Sequence, residues 1–308
     1  MNIRMLLSMV CIFLIMSAGA VSASDRGIMV HYVEQALDLN TAADVWNEAE
    51  PFTIELVALE SLDHMGATHS TDTLPREFIR SIPEKTDFVL NLSKDAPSVT
   101  VKAVYNGSKV AFQFTWSDST EDKENSLNTY RDALAVLFPL DISAGYNPSP
   151  LMGAKGEPVN VWQWRAEWQA ELDGRRELEA RQPLTEGVWI SPTDRILKNQ
   201  HPGMSSGLIN TSERIEYIAE GYSTLTKQVQ QDVDAKGRYR DGKYTVVFLR
   251  DIERTDLSDA EFGAGRHTYI NVAVWNGSKG NVDGMKSLSF SWTPLTFDPD
   301  PMLAKTGD

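Results

Sequence analysis

A chain of 308 residues with 43 acidic against 29 basic side chains, net charge −14, repels nucleic acid and carries no basic patch to override that. Its single cysteine, Cys11, excludes disulfides, Cys-ligated zinc, iron–sulfur clusters and covalently attached c-type haem, each of which needs more thiols or a C-x-x-C-H motif. The length past the N-terminal segment suits one large domain or two small ones and is enough for a sizeable core.

In chain order, Arg4 precedes an apolar run from Leu6 to Ala18, and small residues follow to Ala23. This is the pattern of a secretory signal peptide, and the run is shorter than the ~20 residues a membrane span needs. We expect residues 1–23 to be removed, and residues 24–308 to fold as a single domain in the periplasm or an equivalent extracytoplasmic compartment, without a membrane span.

PFTIELVAL, from Pro51, has strand character. In SVTVKAVYNGSKVAFQFTW, residues 98–116, two alternating runs flank Asn106-Gly107, a strong hairpin signal. PVNVWQW, residues 158–164, reads as a strand with Asn160, Trp162 and Trp164 on one face. The segment 165–182 is rich in Ala, Glu and Arg and predicts a helix broken near Asp173-Gly174. From Pro183 to Ser212 the composition turns to Pro, Gly, Ser and Asn, so 165–212 reads as a helical and loop insertion. GKYTVVFLRDI, from Gly242, is another strand, and YINVAVWNGSKG repeats the hairpin pattern at Asn276-Gly277. Many short strands joined by turn signals predict a mostly-β fold, an antiparallel β-sandwich with a short helical insertion.

Several patterns bear on chemistry. Gly203-Met204-Ser205-Ser206-Gly207 matches G-x-S-x-G, but a polar loop precedes it where a nucleophile needs a strand. His64 and His69 could hold a surface metal or serve as loop polar residues. Trp162 and Trp164 could fill the core or form a binding wall. Met152 is bracketed by Pro150 and Gly153, which fix backbone direction.

The last stretch, GMKSLSFSW at 284–292, alternates as a strand. Ser287, Ser289 and Ser291 share one face, and Lys286, Leu288, Phe290 and Trp292 the other. A lysine in line with apolar residues either snorkels to water from the strand's first position or is neutral and held by something electron-poor. A neutral amine is a competent iron ligand, and burial lowers the pKa that opposes it. Met285 is the rival ligand, but alternation sends it to the serine face.

Four segments in order carry a resemblance: VKAVYNGSKVAFQFTWSDSTED; RDALAVLFPLDI with PLMGAKGEPVNVWQWRAEWQ; GYSTLTKQVQQDVDAKGRYRDGKYTVVFLRDI; and INVAVWNGSKGNVDGMKSLSFSW. Together they resemble the haem b-binding gamma subunits of periplasmic type II dimethyl sulfoxide reductase-like molybdenum enzymes. Ethylbenzene, dimethyl sulfide, selenate, chlorate and nitrite oxidoreductase complexes contain such subunits. The resemblance implies one non-covalent haem b within the sandwich, with methionine and lysine as axial ligands. These match Met152 in PLMG and Lys286 in GMKS.

On that basis Phe138, Asn160, Trp162, Trp164 and Leu288 are candidate pocket residues, and Lys155 and Arg165 candidate propionate partners. The resemblance implies an electron-transfer chain that is not itself catalytic. Its partners would be a catalytic molybdopterin subunit, an iron–sulfur subunit and a soluble cytochrome. The length of the chain and its insertion favour a complex of nitrite oxidoreductase or nitrate reductase type. The rival expectation is a secreted carbohydrate-binding β-sandwich module with exposed tryptophans.

Overall fold

The computed structural model describes residues 27–64, 88–125, 129–143, 148–181, 215–221 and 224–299. The expected signal segment, His69, His201, the G-x-S-x-G run and the loop of 183–212 lie outside the described residues.

Alternating apolar residues fold into fifteen strands among the described residues. They are β1 (Ile28–Tyr32), β2 (Phe52–Glu55), β3 (Val57–His64), β4 (Phe88–Ser93), β5 (Ser98–Tyr105), β6 (Lys109–Ser117), β7 (Ala133–Pro139) and β8 (Val159–Arg165). After helix α1 (Ala166–Arg181) come β9 (Glu216–Ala219), β10 (Thr226–Lys227), β11 (Asp234–Arg240), β12 (Lys243–Asp251), β13 (His267–Trp275), β14 (Ser287–Leu288) and β15 (Thr293–Phe297).

The main path runs β10-β9-β8-β7-β13-β15-β1-β5-β6-β12-β11. Strand β13 joins its two halves, pairing with β15 through His267–Ile270 and with β7 through Asn271–Trp275. The halves face one another across an aromatic core. Phe112 of β6 meets Phe138 of β7 at 5.6 Å and Trp162 of β8 at 5.9 Å between ring centroids, and Trp116 meets Trp164 at 6.4 Å. Edge-to-face and tilted pairs of this kind add to the area they bury.

The expected sandwich is present, with corrections. It is not wholly antiparallel, because β1 runs parallel to both β15 and β5. Helix α1 runs through Asp173-Gly174 without a break. PFTIELVAL makes two strands rather than one.

Asn276-Gly277 is not a two-residue hairpin. Asn276 caps a 3₁₀ turn by accepting from the Lys279 N–H, and Gly277 donates to Asp132 at 2.8 Å. A Cβ on Gly277 would stand 2.1 Å from the Tyr130 carbonyl oxygen, so tight packing, not a hairpin turn, selects this glycine. At Asn106-Gly107 the hairpin forms, and the Asn106 side chain accepts from the N–H groups of Ser108 and Lys109.

The outer faces of both sheets are covered. Val33, Leu37, Trp46 and Ala49 pack on Val104, Ala111, Val247 and Leu249 behind one sheet. Behind the other, the segments 148–157 and 281–292 lie over β7, β8 and β13. Double coverage explains why every residue of β7 is buried.

Candidate functional site

The side-chain period of two divides β8, β7 and β13 between core and cavity. Asn160, Trp162 and Trp164, with Leu134, Val136 and Phe138, and Ile270, Val272 and Val274, are buried on the inter-sheet side. The alternate residues face outward and floor a cavity of about 380 Å³. Strand register arranges them in three rows: Arg165, Ala133 and Trp275; Gln163, Ala135 and Ala273, extended by Leu288; and Val161, Leu137 and Asn271. Three strands at ~4.8 Å spacing and two steps of ~6.8 Å along each give a floor of roughly 10 by 13 Å. The alanines at its centre leave it flat.

Two loops close this floor, and each brings one predicted ligand. Met152 lines the cavity from the first. Its backbone has φ 89, a region that side-chain-bearing residues rarely enter. The conformation is clamped, since the Gly221 N–H donates to the Met152 carbonyl at 2.7 Å and the Gly153 N–H to that of Ser149 at 2.8 Å. Gly153 follows at φ 77, and a Cβ there would lie 2.5 Å from the Glu157 carbonyl oxygen.

Lys286 enters from the second loop. Only Ser287–Leu288 of the expected 284–292 strand forms a ladder, wedged between β13 and β3, while the Leu59 N–H donates to the Lys286 carbonyl at 2.9 Å. The parity expected at this point holds over those residues. Lys286 and Leu288 line the cavity, and Ser287 and Ser289 are buried. Met285 packs instead with Leu59, Ala273 and Leu288 and does not line the cavity.

The Lys286 ammonium lies 4.9 Å from the centroid of the Trp275 ring. Burial pushes its pKa down to about 8, opposed in part by the Asp283 charge. A neutral amine therefore costs far less here than on the surface.

The loops are tied to the floor and to each other. Asn271 donates to the carbonyls of Ser289 at 2.8 Å and Ser291 at 3.2 Å. Trp275 Nε1 donates to the Asp283 carbonyl at 3.1 Å, and Trp292 Nε1 to Pro148 at 2.6 Å, linking the lysine loop to the start of the methionine loop.

At one edge of the floor stand two arginines. Arg131 pairs with Glu167 at 2.9 Å, and Arg165 donates to Gln163 Oε1 at 2.9 Å.

Met152, Lys286, Leu288 and Arg165 thus share one cavity. Phe138, Asn160, Trp162 and Trp164 do not line it; they point through the sheet into the core, one residue out of phase. Lys155 is exposed at the tip of its loop and also stays outside. The cavity is not between the sheets but behind one of them. Sequence reasoning missed Arg131, Gln163, Asn271 and Trp275. The alternation of Arg131, Ala133, Ala135 and Leu137 in RDALAVLFP was the signal available for the first of these.

A model of the ethylbenzene dehydrogenase family matches residues 43–287, which include both cavity loops as far as Lys286. A protein of Haloferax mediterranei named as a respiratory nitrate reductase heme subunit is 27% identical over 66% of this chain and 57% of its own length. The chlorate reductase subunit gamma of Ideonella dechloratans is 24% identical over 65% of this chain and 64% of its own. The dimethylsulfide dehydrogenase subunit gamma of Rhodovulum sulfidophilum is 22% identical over 83% and 74%. Among solved structures, a family 9 carbohydrate-binding module from Caldicellulosiruptor kristjanssonii in complex with glucose covers 89% of this chain and 96% of its own, at TM-score 0.40 and 8% identity, too distant to carry a functional argument. On the family match, which spans most of the sequence, the chain belongs to the ethylbenzene dehydrogenase family.

Proposed function

We propose that this chain is an electron-transfer subunit in which Met152 and Lys286 would hold one non-covalent haem b through its iron. The observation that carries the reading is that a thioether and an amine of depressed pKa, 134 positions apart, enter one flat-floored cavity from two loops. When bound, haem supplies one-electron carriage between ferric and ferrous iron, and a thioether ligand favours the reduced form.

The chain's own residues fit that group. Ala133, Ala135 and Ala273 leave room for a planar macrocycle, and Leu137, Val161 and Leu288 supply apolar contact. A cavity of this size lies within the usual range for small cofactors. Arg131 and Arg165 at one edge suit the carboxylates of such a group, since a guanidinium pairs with a carboxylate through two parallel hydrogen bonds. Lys286 must release its proton before it can ligate, and its burial favours that release. With both side chains committed to holding the group, the chain would carry electrons and not itself catalyse.

The names of the gamma-subunit relatives support an assembly with further subunits of a reductase or dehydrogenase; the family resemblance makes these a catalytic molybdopterin subunit and an iron–sulfur subunit. A soluble cytochrome as electron partner and a periplasmic setting belong to the same reading. The Haloferax relative's name supports a complex of nitrate reductase type. Among the described residues no helix is long and apolar enough to cross a membrane.

Haemin titration of the purified chain tests the reading. We expect saturation at one equivalent, a Soret band, and sharp α and β bands on reduction. A colourless protein that takes up no haemin overturns it.

A further inference from the structure

On the core side of β8, away from the cavity, three carboxylates converge. Glu216 opens β9, Asp232 precedes β11, and Asp259 lies between β12 and β13; each offers one oxygen, and the three oxygens lie within 4.8 Å of one another. Each acid is anchored through one oxygen. Glu216 Oε1 accepts from Asn160 Nδ2 at 2.9 Å and Trp162 Nε1 at 3.2 Å. Asp232 Oδ2 accepts from Thr255 Oγ1 at 3.0 Å, and Asp259 Oδ2 from the N–H groups of Thr255 at 2.9 Å and Asp256 at 3.1 Å.

The second oxygens, Glu216 Oε2, Asp232 Oδ1 and Asp259 Oδ1, are buried without a hydrogen-bond partner. Glu216 and Asp259 are 0% and 1% exposed, so bulk water does not serve them. Buried polar atoms are almost always paired, and buried charges are paired or bind metal. Gln228 adds another unpartnered buried oxygen, Oε1. Its Nε2 donates to the Ser258 carbonyl, next to Asp259, at 2.9 Å.

One buried cation is near. The Arg250 guanidinium feels all three acids, but its Nη2 donates to the Ala260 carbonyl at 2.6 Å and its Nε to that of Asp251 at 3.0 Å. With all three carboxylates ionised, this guanidinium, whose own Nη1 has no partner, leaves two formal negative charges uncompensated.

We propose that Glu216, Asp232 and Asp259 form a structural divalent-cation site suited to Ca²⁺, independent of the haem reading. An all-oxygen donor set is hard, which disfavours zinc and copper. Irregular donors from three separate segments suit the flexible coordination of Ca²⁺ better than the strict octahedron of Mg²⁺. Asp232 is half-buried and gives the route of entry. The ion would lock the 216–232 and 255–259 segments together. The competing occupant is a proton shared between Glu216 and Asp232, since burial and its acidic neighbours push the Glu216 carboxyl up to about 8.

The test uses the purified full chain, stripped with EDTA and then dialysed against CaCl₂ or MgCl₂. Metal analysis and thermal unfolding are the readouts. We expect one bound Ca²⁺ per chain and a rise in Tm of roughly 5–10 °C at a hundredfold excess over Kd, with a smaller rise for Mg²⁺. D232N, at the half-buried position, should abolish the rise, and M152A should keep it. An unchanged Tm in EDTA and in Ca²⁺, with no stoichiometric metal, overturns the proposal. So does an E216Q variant that gains stability at neutral pH while the wild type ignores Ca²⁺, the signature of the shared proton.

Discussion

Single residues carry the site's chemistry, and the most constrained of them is Met152. Its left-handed backbone is held by the Gly221 hydrogen bond and by the close approach of Gly153 to Glu157. Gly153→Ala should therefore cost roughly 1–3 kcal/mol and displace the thioether, read as lower denaturant stability together with weaker haemin uptake. Pro150 and Gly153 made the constraint legible in the sequence; the positive φ of Met152 itself was not, because only the tertiary clamp imposes it. Lys286 was legible through parity alone, since one lysine stood in an apolar row.

Asp132 was not legible as anything special. It is fully buried, accepts from the N–H groups of Gly277 and Asp122 and from the Tyr244 hydroxyl, and burial pushes its pKa up to about 6. The folded state holds this proton more tightly than the unfolded chain does. Its stabilising contribution is thus full below about pH 4 and lost as pH rises through about 6. Asp132→Asn should flatten that part of the Tm–pH curve relative to wild type, whatever it does to the overall level.

At the scale of elements, the strands within 51–59, 98–116, 158–164, 242–252 and 269–275 declared themselves and the others, like the faces, did not. The run ALAVLFP in β7 is apolar at every position, which marks a strand covered on both sides. Periodicity cannot say which cover is core and which is cavity. The tryptophans of β8 drew attention by size, yet large rings fill the inter-sheet space, and small alanines make room for a ligand.

Two substitutions separate the faces. Phe138→Leu should destabilise the fold by on the order of 1–3 kcal/mol, because the ring packs against Trp162 at 4.7 Å and Phe262 at 5.0 Å, while leaving haemin binding intact. Ala273→Phe should block the floor and abolish haemin uptake, whatever its overpacking costs in Tm. Equal effects of the two on binding would contradict the division.

For the whole molecule, the sandwich was readable from strand count and turn signals, but the site's location was not. It depends on β13 joining the two halves, on Trp292 tying two loops far apart in sequence, and on Asn271 holding the lysine loop to the floor. Such contacts leave no local pattern. A site behind one sheet also lies near the molecular surface, which the proposed electron-transfer role requires. If that role holds, purification of this chain from its native source should recover it with a molybdopterin subunit and an iron–sulfur subunit.

The most direct measurement is the low-temperature electron paramagnetic resonance spectrum of the haemin-loaded protein beside its Met152→Ala and Lys286→Ala variants. The account predicts a low-spin ferric signal in the wild type, and loss of haem or conversion to high spin in each variant. A low-spin signal that survives both substitutions unchanged would contradict it.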